Sequence, residues 1–364
     1  MEELEILQDI FFVLLYGGVI MLSVVAALYL LLRRSNAIAP EVTSPVRLRR
    51  WAAAFLIATA LSHMSWLYYA YHTSLTVYTI VCFLDLLMLT PSMTGVLLSM
   101  LQDRHRSVWP VLILLIPAFI LSTLCVIREN SAFFIPASIY IYAVYAGLML
   151  YMFFAVRRYG RWLRDNYADL EHKEVWQSFL ILVVFLLFFV MYSSTSEGSS
   201  VLVYLLQIDC IIIAALLLWR VETLQQLSEN PSPEADPAED AQEPPAPMDT
   251  LSKIGSLLKK ECENGQLYLQ HDLTLAQLAQ TIGTNRYYLS QHFAQRGLTF
   301  NAYINDLRVD HFIRLYRGAA AENRIVTAQQ LAFESGFHSY STFSSAFKQK
   351  TGKTVTAWMQ APEE

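Results

Sequence analysis

Apolar residues along this chain gather into long runs before residue 220 and into short periodic groups after residue 250. Seven of the long runs contain neither Lys nor Arg: Ile10–Leu32, Trp51–Tyr71, Val77–Leu101, Val108–Ile127, Ala132–Val156, Val175–Tyr192 and Val201–Trp219. A bilayer core of about 30 Å is crossed by roughly 20 apolar helical residues. Each run therefore predicts a membrane-spanning helix. Buried helices of soluble proteins are rarely this long, this apolar and this often repeated. After residue 250 the apolar positions recur at three- and four-residue spacing, which predicts amphipathic helices.

The loops between the runs predict an orientation, because Lys and Arg are retained on the cytoplasmic side. Arg33, Arg34, Arg47, Arg49 and Arg50 follow the first run, and Arg104 and Arg106 follow the third. Arg157, Arg158, Arg161, Arg164 and Lys173 follow the fifth, and Arg220 follows the seventh. The opposite loops hold only Arg128. The N-terminus is thus expected outside and the residues after 220 inside. Glu2, Glu3 and Glu5 replace the basic start of a cleavable signal peptide, so the first run is expected to remain as an anchor.

Composition matters only once it is divided. Hydrophobic residues make up 55% and charged residues 16% of the whole, far from the balance of a soluble domain. Residues 221–249 hold eight acids and no base, whereas residues 250–364 hold twelve bases and nine acids. The stretch Ser228–Asp249 is rich in Pro, Ala and acid and has no aromatic residue. It cannot bury enough surface to offset its ordering entropy, so a disordered interdomain spacer is expected. Cys82, Cys125, Cys210 and Cys262 form no CxxC or Cys/His metal spacing and read as small buried hydrophobes. No catalytic residue, metal ligand or cofactor is expected.

The last third repeats a pattern. Leu278-Ala279 is followed by Gly283, and Leu331-Ala332 by Gly336. The first glycine leads through Thr284 or Asn285, either able to cap, into a helix at Arg286–Gln295 with Leu289 and Phe293 inward. The second leads into a helix at Ser339–Lys350 with Phe343 and Phe347 inward. Each is helix, short turn, helix. One helix, about Phe300–Tyr316, links the two units.

The segment from Leu331 to Gly352 closely resembles the second helix-turn-helix of the AraC/XylS regulators, through Ala332, Gly336-Phe337, Ser341, Phe343, Phe347-Lys348, Gly352 and Thr354. Leu278-Ala279, Gly283, Tyr288-Leu289-Ser290, Phe293, Gly297 and Arg308 resemble the first unit and the linking helix. Val355 stands where the family usually has proline, and Phe312 where it has a small alanine. The family's sugar-binding barrel has no counterpart here, so its signal input does not carry over. The resemblance implies sequence-specific binding of double-stranded DNA in the major groove. By resemblance and exposure, Asn285, Arg286, Tyr287 and Gln291 in the first unit, and His338, Ser339, Tyr340, Thr342 and Ser345 in the second, are expected at base edges. Lys348 and Lys350 are expected at phosphates.

Polar groups within spans are costly and point to function. His63, Asp85, Gln207 and Asp209 lie at similar depth from the outer side, with Tyr140, Tyr142 and Tyr145 entering from there. Pro91, Pro117 and Pro136 are placed to kink helices near that layer. Two readings stand open: a pocket for a small-molecule ligand, whose binding alters helix packing or homodimerisation, or a structural hydrogen-bond network.

The sequence thus predicts an all-α chain of three parts. Residues 1–222 are a polytopic seven-helix transmembrane bundle, 223–249 an acidic Pro-rich linker, and 250–362 an all-helical double helix-turn-helix domain. The expected function is a one-component transcription regulator in the bacterial inner membrane. Alternatives are a transporter or enzyme with a fused regulatory domain, and a bundle that only tethers the regulator.

Overall fold

In the computed structural model, the described residues up to Thr223 form long helices and those from Met248 onward form shorter ones. The structure describes residues 10–33, 35–128, 131–176, 179–180, 183, 200–227 and 248–360. The chain divides into two compact units: Met1–Tyr159 with Val175–Leu227, and Gly160–Glu174 with Ser228–Glu364. All regular structure among the described residues is helical.

The first unit contains α1 (Ile10–Leu32), α2 (Val46–Tyr71), α3 (Leu75–Met100), α4 (Trp109–Arg128), most of α5 (Phe134–Asn166) and α6 (Ser200–Thr223). Five of these, α1, α3, α4, α5 and α6, are long and apolar enough to cross a membrane. α2 has the length, 26 residues, but its many Ala, Ser, Thr, Trp and Tyr residues make it less apolar. The predicted span Val175–Tyr192 lies largely outside the described residues. So does the linker Ser228–Asp249, apart from Met248 and Asp249, which already open the next helix.

The outward faces of these helices are apolar. Phe11 is 74% exposed and Leu32 is 78% exposed, a surface that water solvates poorly and lipid solvates well. α3 and α4 continue through Pro91 and Pro117. Pro136 corrects the expected kink: it sits in the first turn of α5, where its missing N–H would have had no helical partner.

One end of this unit is stitched by polar contacts. The Glu222 carboxylate accepts from the backbone N–H of Ala37 at 3.0 Å and Ile38 at 2.8 Å. Asn36 Nδ2 donates to the Glu222 carbonyl at 3.0 Å. Gln102, just past α3, donates to the Gln225 carbonyl and accepts from Leu227 N–H, both at 2.9 Å. The C-terminal ends of α1, α3 and α6 therefore meet.

The second unit contains α7 (Met248–Leu257), which runs into a π-helical stretch Leu258–Asn264, then α8 (Leu275–Ile282), α9 (Arg286–Gln295), α10 (Phe300–Ala321), α11 (Ala328–Glu334), α12 (Tyr340–Thr351) and α13 (Val355–Gln360). α10 has 22 residues, longer than the predicted Phe300–Tyr316. Gly318 does not stop it, because Ala319, Ala320 and Ala321 are strong helix formers and Ala319 is fully buried.

Two apolar cores lie along α10. Ile254, Leu278, Leu289, Phe293, Phe300 and Ile304 belong to the first. Phe312, Leu331, Phe337, Phe343, Phe347 and Val355 belong to the second. The two departures from the family pattern are both core residues: Phe312 packs 4.4 Å from the Phe343 ring, centroid to centroid, and Val355 is buried. Arg308 joins the cores. It is fully buried, donates to the Tyr268 carbonyl at 2.7 Å and the Gln270 carbonyl at 2.8 Å, and lies over the Phe337 ring. Burial pushes its pKa down to about 10, against the pull of Asp169 and Asp272. It stays charged at neutral pH, held by two carbonyl dipoles.

Candidate nucleic-acid interface

The two helix pairs, α8–α9 and α11–α12, are built alike from short-range chemistry. Thr274 and Thr327 cap α8 and α11 through their side-chain oxygens. Both leading helices end near a left-handed glycine, Gly283 at φ 72° and Gly336 at φ 88°. Gly336 needs glycine twice over, because a Cβ there would stand 2.8 Å from the Leu269 Cα. The second turn is one residue longer: Asn285 caps α9 two residues after Gly283, whereas Ser339 caps α12 three residues after Gly336.

This geometry sorts the predicted contact residues. Asn285 is exposed, and its Oδ1 accepts from Tyr288 N–H at 2.8 Å. The Ser339 hydroxyl likewise accepts from Thr342 N–H at 3.3 Å and meets the Thr342 hydroxyl at 3.1 Å. Both side chains are thus engaged as caps. Arg286, Tyr287 and Gln291 are half-buried rather than fully exposed, whereas Ser290 is exposed. In the second unit His338, Tyr340, Ser345 and Lys348 are exposed and Thr342 is half-buried. Lys350 turns back onto α10, bonding the Asp306 carbonyl at 2.7 Å and the Asp310 carboxylate at 2.6 Å.

Sequence patterning missed the segment Gly160–Glu174, the last turns of α5 and the loop after it, which belongs to this second unit. Ala168 is fully buried within the first core. Its N–H donates to the Leu273 carbonyl at 3.0 Å, and its own carbonyl accepts from Asn301 Nδ2 at 2.6 Å. Lys173 is buried and bonds the Asp272 carboxylate at 2.9 Å. Burial raises the Asp272 pKa, but the Lys173 bond and charge outweigh it and hold the group below its usual value. Tyr167 lies near enough to Arg286 to feel its charge. In the sequence this segment reads only as a basic loop, through Arg161, Arg164 and Lys173.

Of the intramembrane candidates, only His63 and Gln207 bond each other. In the first unit, His63 Nδ1 meets the Thr59 carbonyl at 2.8 Å and Nε2 meets Gln207 Oε1 at 3.1 Å, joining α2 to α6. The Asp85 Oδ2 accepts from Trp66 Nε1 at 2.6 Å, joining α3 to α2. Asp209 is buried, and neither carboxylate oxygen has a hydrogen-bond partner among the described residues. Tyr145 bonds Thr90 at 3.0 Å, and Tyr140 donates to the Leu114 carbonyl at 2.8 Å.

Comparison with known proteins bears on the second unit. Residues 278–361 match a family model described as a helix-turn-helix domain. A stretch of 101 residues is 31% identical to the TCP pilus virulence regulatory protein of Vibrio cholerae serotype O1, in each of two strains. That stretch is 28% of this chain and 32% of each relative. The match thus spans about a third of those curated relatives. No solved structure matches the chain. Residues 278–361 are therefore similar to a helix-turn-helix domain, over the same part of the chain that resembles the AraC/XylS regulators in sequence.

Proposed function

We propose that this chain is a membrane-bound one-component transcription regulator, in which a seven-span bundle transmits a signal to a cytoplasmic domain that binds promoter DNA. One observation carries the reading: a double helix-turn-helix domain shares a chain with five helices long and apolar enough to cross a membrane. Parity supports an odd number of spans. The C-terminal ends of α1, α3 and α6 meet, and alternating crossings bring a first, a third and a last helix to one side only when the total is odd. The Lys and Arg bias makes that side cytoplasmic, the side on which DNA is found. The inner membrane of a bacterium is the matching location.

Base reading falls to Arg286, Tyr287 and Gln291 and to His338, Tyr340, Thr342 and Ser345, with Lys348 at phosphate. Asn285 and Ser339 hold the helix ends in place, and Lys350 braces α10. In the bundle, His63 and Gln207 serve as a structural tie, since both imidazole nitrogens are engaged. Asp85 Oδ1 and both Asp209 carboxylate oxygens have no partner among the described residues, and these are the groups left to meet a small-molecule signal. Homodimerisation would bring four reading helices to one promoter.

The test is promoter binding by the full chain in detergent, followed by fluorescence anisotropy against salt. Lys348→Ala should weaken binding on every sequence and lower the salt slope by about one. A C-terminal reporter active only outside the cytoplasm overturns the reading.

A further inference from the structure

The loop that packs beside the first helix-turn-helix unit also brings two carboxylates to the second. One ligating atom each from Asp169, Glu171 and His338 lies within 4.8 Å of the others. Asp169 is buried, Glu171 half-buried and His338 exposed, so the cluster is closed on one side and open to water on the other. Glu171 Oε2 is sealed from solvent and has no hydrogen-bond partner among the described residues. A carboxylate oxygen in that state has lost its hydration with nothing in exchange. Nor does an ion pair join His338 to either carboxylate among the described residues. Beside them stands His271, its ring 6.1 Å from that of His338, and its Nδ1 is likewise buried and unpartnered.

The donors are held rather than scattered. Before them, Ala168 is pinned to Leu273 and Asn301. After them, Lys173 is pinned to Asp272. Between, Asp169 Oδ1 accepts the Glu171 N–H at 3.1 Å. Two donors bound at about 2.0–2.2 Å to one dication sit up to about 4 Å apart across it. Less than about one ångström of side-chain movement would close the set around an ion.

We propose that Asp169, Glu171 and His338 bind a transition-metal dication, and that the bound ion clasps the loop after α5, residues 167–174, onto the second helix-turn-helix turn. The imidazole among the donors favours zinc over calcium or magnesium, and the two carboxylates make manganese the second candidate. Water completes the coordination on the open side. The clasp occupies His338, a residue read above as a base contact, so the ion opposes DNA binding. That consequence rests on the proposed regulator function; the metal site itself does not.

The experiment uses full-length protein in detergent, stripped with a chelator and dialysed against zinc(II) and, in parallel, manganese(II). One ion per chain is expected, with affinity reduced at least about tenfold by His338→Gln and by Asp169→Asn with Glu171→Gln. His338 is exposed, so His338→Gln reports even if the double variant fails to fold. Absence of stoichiometric metal, or unchanged affinity in His338→Gln, overturns the site. In the second arm, zinc should weaken promoter binding by the native chain and not by the Asp169→Asn, Glu171→Gln chain. Metal binding with equal DNA affinity in both overturns the clasp. A chain that binds metal but no DNA under any condition supports the site and sinks the regulator reading instead.

Discussion

The N–H of Ala168 donates to the carbonyl of Leu273 at 3.0 Å, and across that bond a loop alanine enters the core of the first helix-turn-helix unit. Because Ala168 is fully buried, Ala168→Asp places a carboxylate where nothing hydrates it. The expected cost is several kcal/mol, on the order of 2–4. Hydrogen exchange should rise in residues 167–174 and 270–275 together. A rise confined to the loop would refute the packing.

Arg308 should tolerate no replacement. Arg308→Lys keeps the charge but cannot span the Tyr268 and Gln270 carbonyls with a planar fork. Arg308→Ala removes both bonds and leaves buried acceptors unpaired, a loss of about 3 kcal/mol or more. Denaturant unfolding followed by exchange in α10 measures both. Lys is expected to recover only a minor part of the loss.

The two turn glycines should differ. Gly283→Ala meets open space and suffers only the left-handed φ, about 1 kcal/mol. Gly336→Ala suffers the same φ and a Cβ 2.8 Å from the Leu269 Cα, so it should cost roughly twice as much or more. Equal melting shifts for the two variants would contradict the close approach.

Asn285 offers a test of cap against contact. Asn285→Ala should lose about 1 kcal/mol of stability, and Asn285→Ser should restore it. If Asn285 acts only as a cap, the serine variant keeps native promoter affinity. A stable serine variant with weakened, less selective binding would return Asn285 to the base-reading set.

Phe312→Ala empties a site lined by Phe343 and Phe347. A loss of about 3–5 kcal/mol is expected, and α12 should show it before α9, which packs in the other core. Unfolding of both units at one midpoint would mean that α10 couples them fully.

Local patterning carried much of the fold. The expected ends at Leu32 and Tyr71 coincide with helix ends, because the apolar run stops there at Arg33 and at the polar residues His72, Thr73 and Ser74. The helix Arg286–Gln295 was legible in full, since its cap and its glycine turn lie beside it in sequence. The end of α10 was misread at Tyr316 because burial of Ala319, a tertiary fact, carries the helix past Gly318. At Asn285 and Ser339 the sequence does not separate a cap from a base contact, because a polar side chain at a helix start looks the same in either role; the capping bonds appear only in the structure.

By itself the sequence determined the helices, their membrane-length apolar runs, the charge bias of the loops and the paired turns, since each depends on residues within a few turns of one another. Only the tertiary structure decided which polar groups stand together: Lys350 on α10, His63 on Gln207, and Asp169 and Glu171 beside His338. Those meetings join residues far apart in the chain. Periodicity decays within a helix, while hydrogen bonds and ion pairs act only at a few ångströms, so folding alone determines who stands within reach.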